Sequence, residues 1–327
     1  MRPKNRVGRV VRTCLLAAAL LASGCTDATT DQPSDATAPN DAAFPRTVDH
    51  AMGSTEIPAQ PERIAALDQT FVDAAFSLDL SLVGFTDVSP ESGGLPGYLE
   101  QFHSTLGADA ESLGSLDSPN LETLASLRPD LIVSAKIRHE ELYDELGQIA
   151  PTVFADSTGP DWKENLLLLG KSVGIEDRAE QLLADYERRA QAIGDAIREK
   201  EGRNPTISVV RFVGETRLYQ KDSFSGIVLA DTGLARPASQ DVDEFALAIS
   251  EERISDADAD HIFVGTYDIA EAHEDEQRFT SNPLWGQLDG EIHRIDDEVW
   301  GTAVGLQGAH AMLDDLAEVF GVSVDPQ

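Results

Sequence analysis

The sequence predicts an α/β protein of two Rossmann-like lobes with mainly parallel sheets, joined by one long rigid α-helix that leaves a cleft between them. Residues 177–202 carry apolar side chains at spacings of three and four, the pattern of one helix face. Short, nearly continuous apolar runs alternate with helical patterns on both sides of this segment, which is typical of parallel sheets covered by helices. Residues 44–325 are numerous enough for two domains.

The helix predicted at 177–202 is longer than most globular helices. Its apolar positions are Ala179, Leu182, Leu183, Tyr186, Ala190, Ile193 and Ile197. Gly202, followed by Asn204 and Pro205, marks its end. About 25 residues would span about 37 Å. Two interpretations fit: a surface helix in a single α/β domain, or a strut between lobes at 44–176 and 203–327.

The amino terminus has the features of an export signal. Five basic residues and no acid precede the short apolar run CLLAAALLASG, which is too short to span a membrane. Leu21 to Cys25 resembles a bacterial lipobox, although the leucine lies one place further from the cysteine than usual. We expect a signal peptide at 1–24 and a lipid on Cys25; a signal peptide cut elsewhere is the alternative. Cys14 would leave with the signal, so a cysteine-based zinc site is excluded.

Residues 25–43 predict a flexible tether, and the charge of the chain limits its partners. The tether is rich in Asp, Thr, Ala and Pro and almost lacks large apolar residues. Five of the 25 basic residues and none of the 58 acidic residues lie in the first 25 positions. The remainder therefore holds 20 basic and 58 acidic residues, a net charge of −38. Nucleic-acid binding is disfavoured because phosphate contacts need a basic face.

The first lobe alternates predicted strands and helices. Extended pieces at 47–61 precede strands at 63–68, 82–85, 131–135 and 151–155. Helices are predicted at 70–80, 98–105, 140–149 and 162–173, and one opens at Asn120.

The second lobe repeats this plan. Strands are predicted at 206–212, 217–220 and 293–300, and helices at 223–234, 283–288 and within 301–321. Residues 249–266 predict a helix, a turn rich in Ala and Asp, and a strand.

Several stretches, in this order and spacing, carry a resemblance to a known family. They are PERIAALD, SPNLETLASLRPDLIV, WKENLLLLGKSVG, SVVRF…RLYQKDSFSGIVLADTGLARP, ISEERISDADADHIFV and NPLWGQL. The chain resembles the periplasmic-type binding proteins that deliver ferric siderophores, haem or cobalamin to ABC importers. RF…RLY and SFSG…LADTGL are most similar to the iron–siderophore branch. The resemblance covers essentially all of 44–325.

This resemblance implies a lipid-anchored, extracytoplasmic protein that captures a ferric siderophore between two lobes. We expect a monomer because one cleft per chain needs no partner, and the oligomeric state stays open. The protein would deliver the complex to an ABC permease, would not be an enzyme and would need no cofactor of its own. Its bridging helix would limit hinge motion. Haem or cobalamin binding in the same fold, and a sensor or adhesion lipoprotein without transport, remain open, as does the class of siderophore.

Candidate ligand-binding residues are cationic or aromatic and follow predicted strands, because sites in α/β sheets lie beyond the carboxyl ends of strands. Arginine offers a planar fork of donors for oxygen-rich anions. The candidates are Lys136, Arg138, Arg211, Arg217, Tyr219, Tyr267 and Trp300. Each arginine could instead form a surface ion pair, and Tyr219 and Trp300 could be core aromatics.

Two acids are candidates for docking to the permease. The resemblance assigns this role to one exposed acid on each lobe, and Glu122 in SPNLE and Glu252 in ISEER match by motif position. An acid near a helix start is also favoured by the helix dipole, and the two roles are compatible.

Catalytic motifs are not found in the sequence. The seven histidines show no HxxxH or HExxH spacing, and GxSxG and P-loop patterns are lacking. No D-x-D-x-D-G calcium loop is present either. We therefore expect no catalytic residues and no metal bound directly by the protein.

Overall fold

Two five-stranded sheets flank a 26-residue helix in the computed structural model, which describes residues 44–87 and 94–323. The predicted signal peptide, Cys25 and tether lie outside the described residues. Within the described part, no helix combines the length and apolar composition needed to cross a membrane.

The first sheet has the strand order β5-β4-β3-β6-β7, and all its neighbouring strands are parallel. A separate antiparallel hairpin, β1–β2, precedes it. The elements are β1 (Arg46–His50), β2 (Gly53–Ile57), β3 (Ile64–Ala66), α1 (Gln69–Ser77), β4 (Leu82–Asp87), α2 (Glu100–Leu106), β5 (Glu111–Ser115), α3 (Leu121–Leu127), β6 (Leu131–Ala135), α4 (Lys136–His139), α5 (Tyr143–Gly147), β7 (Thr152–Ala155) and α6 (Trp162–Val173). Short 3-10 helices lie at Gly97–Leu99 and Glu140–Leu142.

The second sheet has the order β10-β9-β8-β11-β12, in which only β9 runs antiparallel to its neighbours. The elements are α7 (Glu176–Glu201), β8 (Ile207–Phe212), β9 (Thr216–Tyr219), α8 (Phe224–Thr232), β10 (Ala246–Ala248), β11 (His261–Thr266), α9 (Ala270–Ser281), β12 (Glu291–Arg294) and α10 (Leu306–Val319). Short 3-10 helices lie at Glu251–Ala257 and Trp285–Gln287, and a π-helical turn at Glu298–Thr302. The two-lobe, mainly parallel α/β fold predicted from the sequence is confirmed.

The long helix α7 joins the lobes, as the strut interpretation predicts. It spans 176–201 rather than 177–202, and Gly202 takes the left-handed conformation that ends it (φ 67°). The most deeply buried positions of its apolar stripe are Ala179, Tyr186, Ala190, Ile193 and Ile197. They pack against α6, α8 and α10.

One apolar core runs through both lobes. The largest cluster of buried side chains includes residues of both sheets and of α7. Trp162 on α6 meets Tyr186 on α7 at 5.2 Å and Phe224 on α8 at 6.1 Å, both edge-to-face. Two smaller clusters cover the outer faces of the two sheets. Because the lobes share this core, large hinge motion would have to break it.

One predicted strand is wrong, and several elements were not predicted. The strand expected at 293–300 ends at Arg294, so Trp300 lies in a π-helical turn and not at a strand end. The carboxylate of Asp296 accepts the N–H of Glu298, and its carbonyl accepts those of Val299 and Trp300. These bonds turn the chain out of the sheet. The unpredicted elements are α4, α9, β5 and β10.

Asp73 on α1 caps the start of α10, which comes from the far end of the chain. Its buried carboxylate accepts the backbone N–H groups of Gln307 at 2.9 Å and Gly308 at 3.1 Å. Ser77 donates a third hydrogen bond at 3.2 Å. Burial raises the pKa of Asp73 to about 6, although these hydrogen bonds favour the ionised form.

This raised pKa predicts a loss of stability as pH rises. Between about pH 4 and pH 6 the native state holds a proton that the unfolded state releases, so stability falls as pH rises through the folded pKa. Relative to Asp73→Asn, the wild type should lose about 2 to 3 kcal/mol of unfolding free energy between pH 4 and pH 7. Urea unfolding at several pH values measures this. The control is Asp79→Asn, which removes an acid that is 78% exposed. If the unfolding free energies of Asp73→Asn and Asp79→Asn change equally with pH, the prediction is wrong.

Candidate ligand site between the lobes

A cleft of about 460 Å³ lies between the lobes, at the carboxyl ends of strands from both sheets. This volume falls in the usual range for small-molecule sites. Its lining residues are Ile137, Arg138, Ser157, Thr158, Gly159, Pro160, Arg211, Tyr219, Ser223, Phe224, Ser225, Phe245, Tyr267, Trp300, Gly301, Thr302, Ala303 and Val304. The charged members of this set are two arginines, and it contains no carboxylate. In a chain with 58 acids, the charged side chains that line this cleft are therefore both cationic, and each is paired with a buried carboxylate outside the lining, Asp68 or Asp297.

Arg138 is the arginine available to a ligand. It lies in the short helix α4 directly after β6, and its side chain is 39% exposed. Its Nε donates to Asp68 Oδ2 at 3.2 Å. Its two terminal nitrogens have no hydrogen-bond partner among the described residues. Asp68 is 3% exposed and caps α1 by accepting the N–H of Thr70. The buried carboxylate thus fixes one edge of the guanidinium of a residue that lines the cleft.

Arg211 also lines the cleft, but its donors are already engaged. Nε and Nη2 donate to the two carboxylate oxygens of Asp297, at 2.6 and 2.5 Å. Nη1 donates to Tyr219 Oη and to the carbonyl of Gly301, both at 2.8 Å, and Nη2 also donates to Thr302 Oγ1 at 3.1 Å. All five N–H groups are therefore paired. A ligand could contact this guanidinium by displacing one of these partners, so direct contact stays a prediction.

Burial and ion pairing act in opposite directions on Arg211. Burial disfavours its charge, but the hydrogen bonds and charge of Asp297 outweigh that and raise the pKa of Arg211 above its ordinary value. The guanidinium also lies 5.7 Å from the ring centre of Tyr219 and 5.5 Å from that of Tyr267. Arg211 therefore holds Tyr219, Gly301 and Thr302 together in the lining of the cleft.

The predicted aromatic residues line the same cleft. Tyr219 is 3% exposed and meets the half-exposed Phe245 edge-to-face at 5.3 Å. Tyr267 is partly buried, and its hydroxyl has no partner within the described residues. Trp300 is 2% exposed, stacks on Phe263 at 4.6 Å and donates its indole N–H to Asp315 at 2.8 Å. Trp300 therefore lines the cleft with its ring, while its indole N–H is bound to Asp315.

Two predicted cations lie beside the cleft and not in its lining. Arg217 is the direct cross-strand partner of Arg211, is 36% exposed and pairs with Glu215 at 2.6 Å. Lys136 lines a neighbouring cavity of about 470 Å³ and lies 3.9 Å from Glu140. Arg138 borders both cavities. Arg217 and Lys136 could reach only parts of a ligand that extend beyond the cleft.

Two helices of eight or more residues begin near the cleft. Ser223 caps α8 through the N–H of Gly226 and lines the cleft together with Ser225. Residues 157–160, which lead into α6, line the opposite lobe. The positive ends of both helix dipoles add to the two arginines, so the cleft favours an anionic or oxygen-rich ligand.

Glu122 and Glu252 are exposed at the cleft end of their lobes. Glu122 lies in the first turn of α3, just after the carboxyl end of β5. Glu252 follows β10, which runs in the same direction as β8, and accepts a hydrogen bond from Ser250 Oγ at 2.9 Å. Glu122 has no ion-pair partner among the described residues.

Several lining residues were not identified from the sequence. The loop 157–160 follows the predicted strand 151–155, so the rule that selected the arginines could have found it. Ile137 and Phe245 are large apolar residues that are 65% and 48% exposed on opposite lobes of the cleft. Phe245 follows no apolar strand, and the sequence carries no signal for it.

The two-lobe fold and this cleft are those of a substrate-binding protein, and comparison with known proteins shows the family. Residues 80–290 match the periplasmic binding protein family, and the chain belongs to it. Its members are substrate-binding proteins and not enzymes.

The alignments with named relatives cover most of this chain. It is 38% identical to the "Probable siderophore-binding lipoprotein YfiY" of Bacillus subtilis, over 84% of this chain and 87% of that protein. It is 26% identical to the Fe(3+) dicitrate-binding periplasmic protein FecB of Escherichia coli, over 85% and 91%. The crystal structure of Staphylococcus aureus SirA complexed with staphyloferrin B is similar at a TM-score of 0.76 and 32% identity, covering 86% of this chain and 100% of that one.

Proposed function

We propose that this protein captures a ferric siderophore in the cleft between its lobes and delivers it to an ABC importer. One observation carries the proposal: the cleft of a strongly acidic protein is lined by two arginines and no carboxylate. Such a site offers guanidinium donors, and no lining carboxylate, to an oxygen-rich anion. The siderophore and ferric-citrate ligands named for its relatives have this chemistry.

The site suits a ligand that combines oxygen acceptors with apolar surface. Arg138 supplies two terminal nitrogens that have no hydrogen-bond partner among the described residues, and Ser157 and Thr158 supply neutral hydroxyl groups. Ile137 and Phe245 cover part of the mouth from opposite lobes. Iron would arrive already chelated, so the site needs no metal ligand of its own. In this arrangement the protein recognises the outer surface of the complex.

The test is a titration of the purified protein with ferric hydroxamate, catecholate and citrate-type siderophores, haem and cobalamin. Trp300 lines the cleft, so tryptophan fluorescence reports occupancy. We expect saturable quenching by one ferric siderophore class and much weaker binding of its iron-free form. Tight binding of haem or cobalamin alone would contradict the siderophore proposal. Absence of binding to the whole panel, checked by calorimetry, would favour a sensor or adhesion lipoprotein.

We also propose that the protein acts as a monomer held outside the cytoplasmic membrane by a lipid on Cys25. The lipobox-like sequence supports the anchor, and a relative 38% identical is named a lipoprotein. One cleft per chain needs no second copy. On this proposal residues 1–24 are removed, 25–43 form the tether, and the lobes are 44–176 and 203–327 around the helix. Mass spectrometry of the amino-terminal peptide, and sedimentation of the released protein, would test these points.

Glu122 and Glu252 are proposed to contact the permease. Both are exposed near the cleft, one on each lobe. Replacing both with alanine is expected to reduce siderophore uptake at least tenfold and leave ligand affinity unchanged, because neither residue lines the cleft. A double variant of two exposed acids on α7, Glu180→Ala with Glu199→Ala, is the matched control. Normal uptake by the first variant, or loss in both, would refute the docking role.

A further inference from the structure

Two histidines and a glutamate come together on the second sheet, at the end away from the cleft. His261 is the first residue of β11 and Glu291 the first of β12, and the two pair directly in the parallel register. His293 lies two residues further along β12, so all three side chains stand on one face of the sheet. The cleft lies beyond the opposite ends of these strands. At about 3.3 Å per residue, the two sites are separated by roughly 15 Å or more.

The facing atoms of this cluster have the spacing of metal ligands. His261 Nδ1 and His293 Nε2 are 3.0 Å apart, and each of the three residues offers a ligand atom within 4.8 Å of the others. Two nitrogens bound to one zinc ion at 2.0–2.1 Å in tetrahedral geometry would be about 3.3 Å apart. A small separation of the rings would therefore admit the ion without moving the strands.

Neighbouring aromatic residues hold the two imidazoles in place. Phe320 packs against the ring of His261 at 4.6 Å, and Phe263 lies 4.9 Å from that of His293. The imidazoles themselves stack at 5.3 Å with 25° between their planes. His261 is 9% exposed, whereas Glu291 is exposed, so the cluster is anchored on one side and open to solvent on the other. Ligands fixed by packing lose little freedom on binding an ion.

We propose that His261, Glu291 and His293 bind a divalent first-row transition metal ion such as Zn²⁺. Imidazole nitrogens with one carboxylate oxygen are typical zinc ligands, and the solvent side leaves a fourth position for water. This site is distinct from the ferric ligand of the cleft, and it does not depend on the proposed function. The bound ion would link β11 to β12 beside Phe320, just beyond the end of α10, and would stabilise the native state by mass action.

The test uses the purified protein in physiological salt with excess Mg²⁺, with any cysteine thiol left by incomplete processing alkylated. Magnesium occupies the acidic surface and does not compete for imidazole. Calorimetry with Zn²⁺ is expected to show one site per chain. Glu291→Gln and His293→Gln should each weaken it more than about tenfold, since even supporting residues outside the first ligand shell contribute that much. His273→Gln, which removes an exposed histidine on α9, is the matched control and should leave the site unchanged.

Cobalt substitution gives a second readout that does not depend on stability. Co²⁺ in the wild type should give the visible absorption of a low-coordinate nitrogen and oxygen site, and this should vanish in His293→Gln. Ferric siderophore binding should be equal with and without Zn²⁺, because the sites are separate. Absence of zinc binding by the wild type, or full affinity in both Glu291→Gln and His293→Gln, would overturn the proposal.

Discussion

Replacing Gly194 by alanine is expected to lower the free energy of unfolding by more than about 3 kcal/mol. Gly194 lies inside α7 where this helix crosses α8. An added Cβ would lie 1.9 Å from the carbonyl oxygen of Thr232 and 2.8 Å from its carbonyl carbon. Both are backbone atoms at the end of α8, so no side chain can rotate away. The helices would have to separate, which costs at least as much as severe overpacking of a core.

The sign of this stability change distinguishes a closely packed helix crossing from an exposed helix position. In an exposed helix interior, glycine to alanine stabilises by about 1 kcal/mol. Gly147→Ala is the matched control, because Gly147 also lies in a helix and its added Cβ meets nothing within 4 Å. Chemical unfolding of both variants compares them directly. Equal stabilities for Gly194→Ala and the wild type would show that the two helices separate freely.

The α7–α8 crossing also bears on how the lobes move. α6 of the first lobe and α8 of the second both pack on α7, and Asp231 of α8 accepts hydrogen bonds from Lys163 at 2.8 Å and Tyr186 at 2.7 Å. One carboxylate therefore links α6, α7 and α8. A variant that forces α7 and α8 apart should alter the cleft as well as the stability, since α8 begins at the cleft with Ser223.

Elements with strong apolar periodicity could be predicted from the sequence. The long helix α7 was placed to within one residue at each end, and α6 was placed as observed, because their buried positions recur at helical spacing and glycine follows each. α9 carries only Ala272, Asp275 and Phe279 as buried positions, too sparse a pattern to predict it. The run at 293–300 contains β-forming residues, but Asp296 bonds locally and ends the strand early.

The sequence predicted which kinds of residue line the candidate site, but not the ion pairs that these residues form. The rule that cations and aromatics follow strands found Arg138, Arg211, Tyr219 and Tyr267, which do line the cleft. Which guanidinium is free depends on partners distant in sequence: Asp68 is 70 residues from Arg138, and Asp297 is 86 residues from Arg211. No local pattern specifies such pairs. The sequence therefore indicated the cleft, and the tertiary structure distinguishes the available arginine from the engaged one.

Replacing Arg138 by alanine is expected to weaken binding of the ferric ligand by about 100-fold or more. Arg138 is the lining cation whose terminal nitrogens have no partner in the described parts of the chain, so its loss removes charge-assisted hydrogen bonds inside the cleft. Truncating one member of a hydrogen-bonded charge pair typically costs 2–5 kcal/mol of binding. Arg138→Lys should recover only part of the affinity, because lysine lacks the planar fork. Arg188→Ala, at a 64% exposed position on α7, is the matched control.

A second substitution, at Asp68, distinguishes two roles for Arg138: direct contact with the ligand, or neutralisation of Asp68. Burial raises the pKa of this carboxyl, against the hydrogen bond from Thr70 and the charge of Arg138. Arg138→Ala alone therefore leaves a buried acid at the cleft that could repel an anionic ligand. The double variant Arg138→Ala with Asp68→Asn removes that acid. If Arg138 contacts the ligand, the double variant stays as weak as the single one in calorimetry. Recovery of most of the affinity would instead mean that Arg138 serves to neutralise Asp68, and that Arg211 and the helix termini hold the ligand.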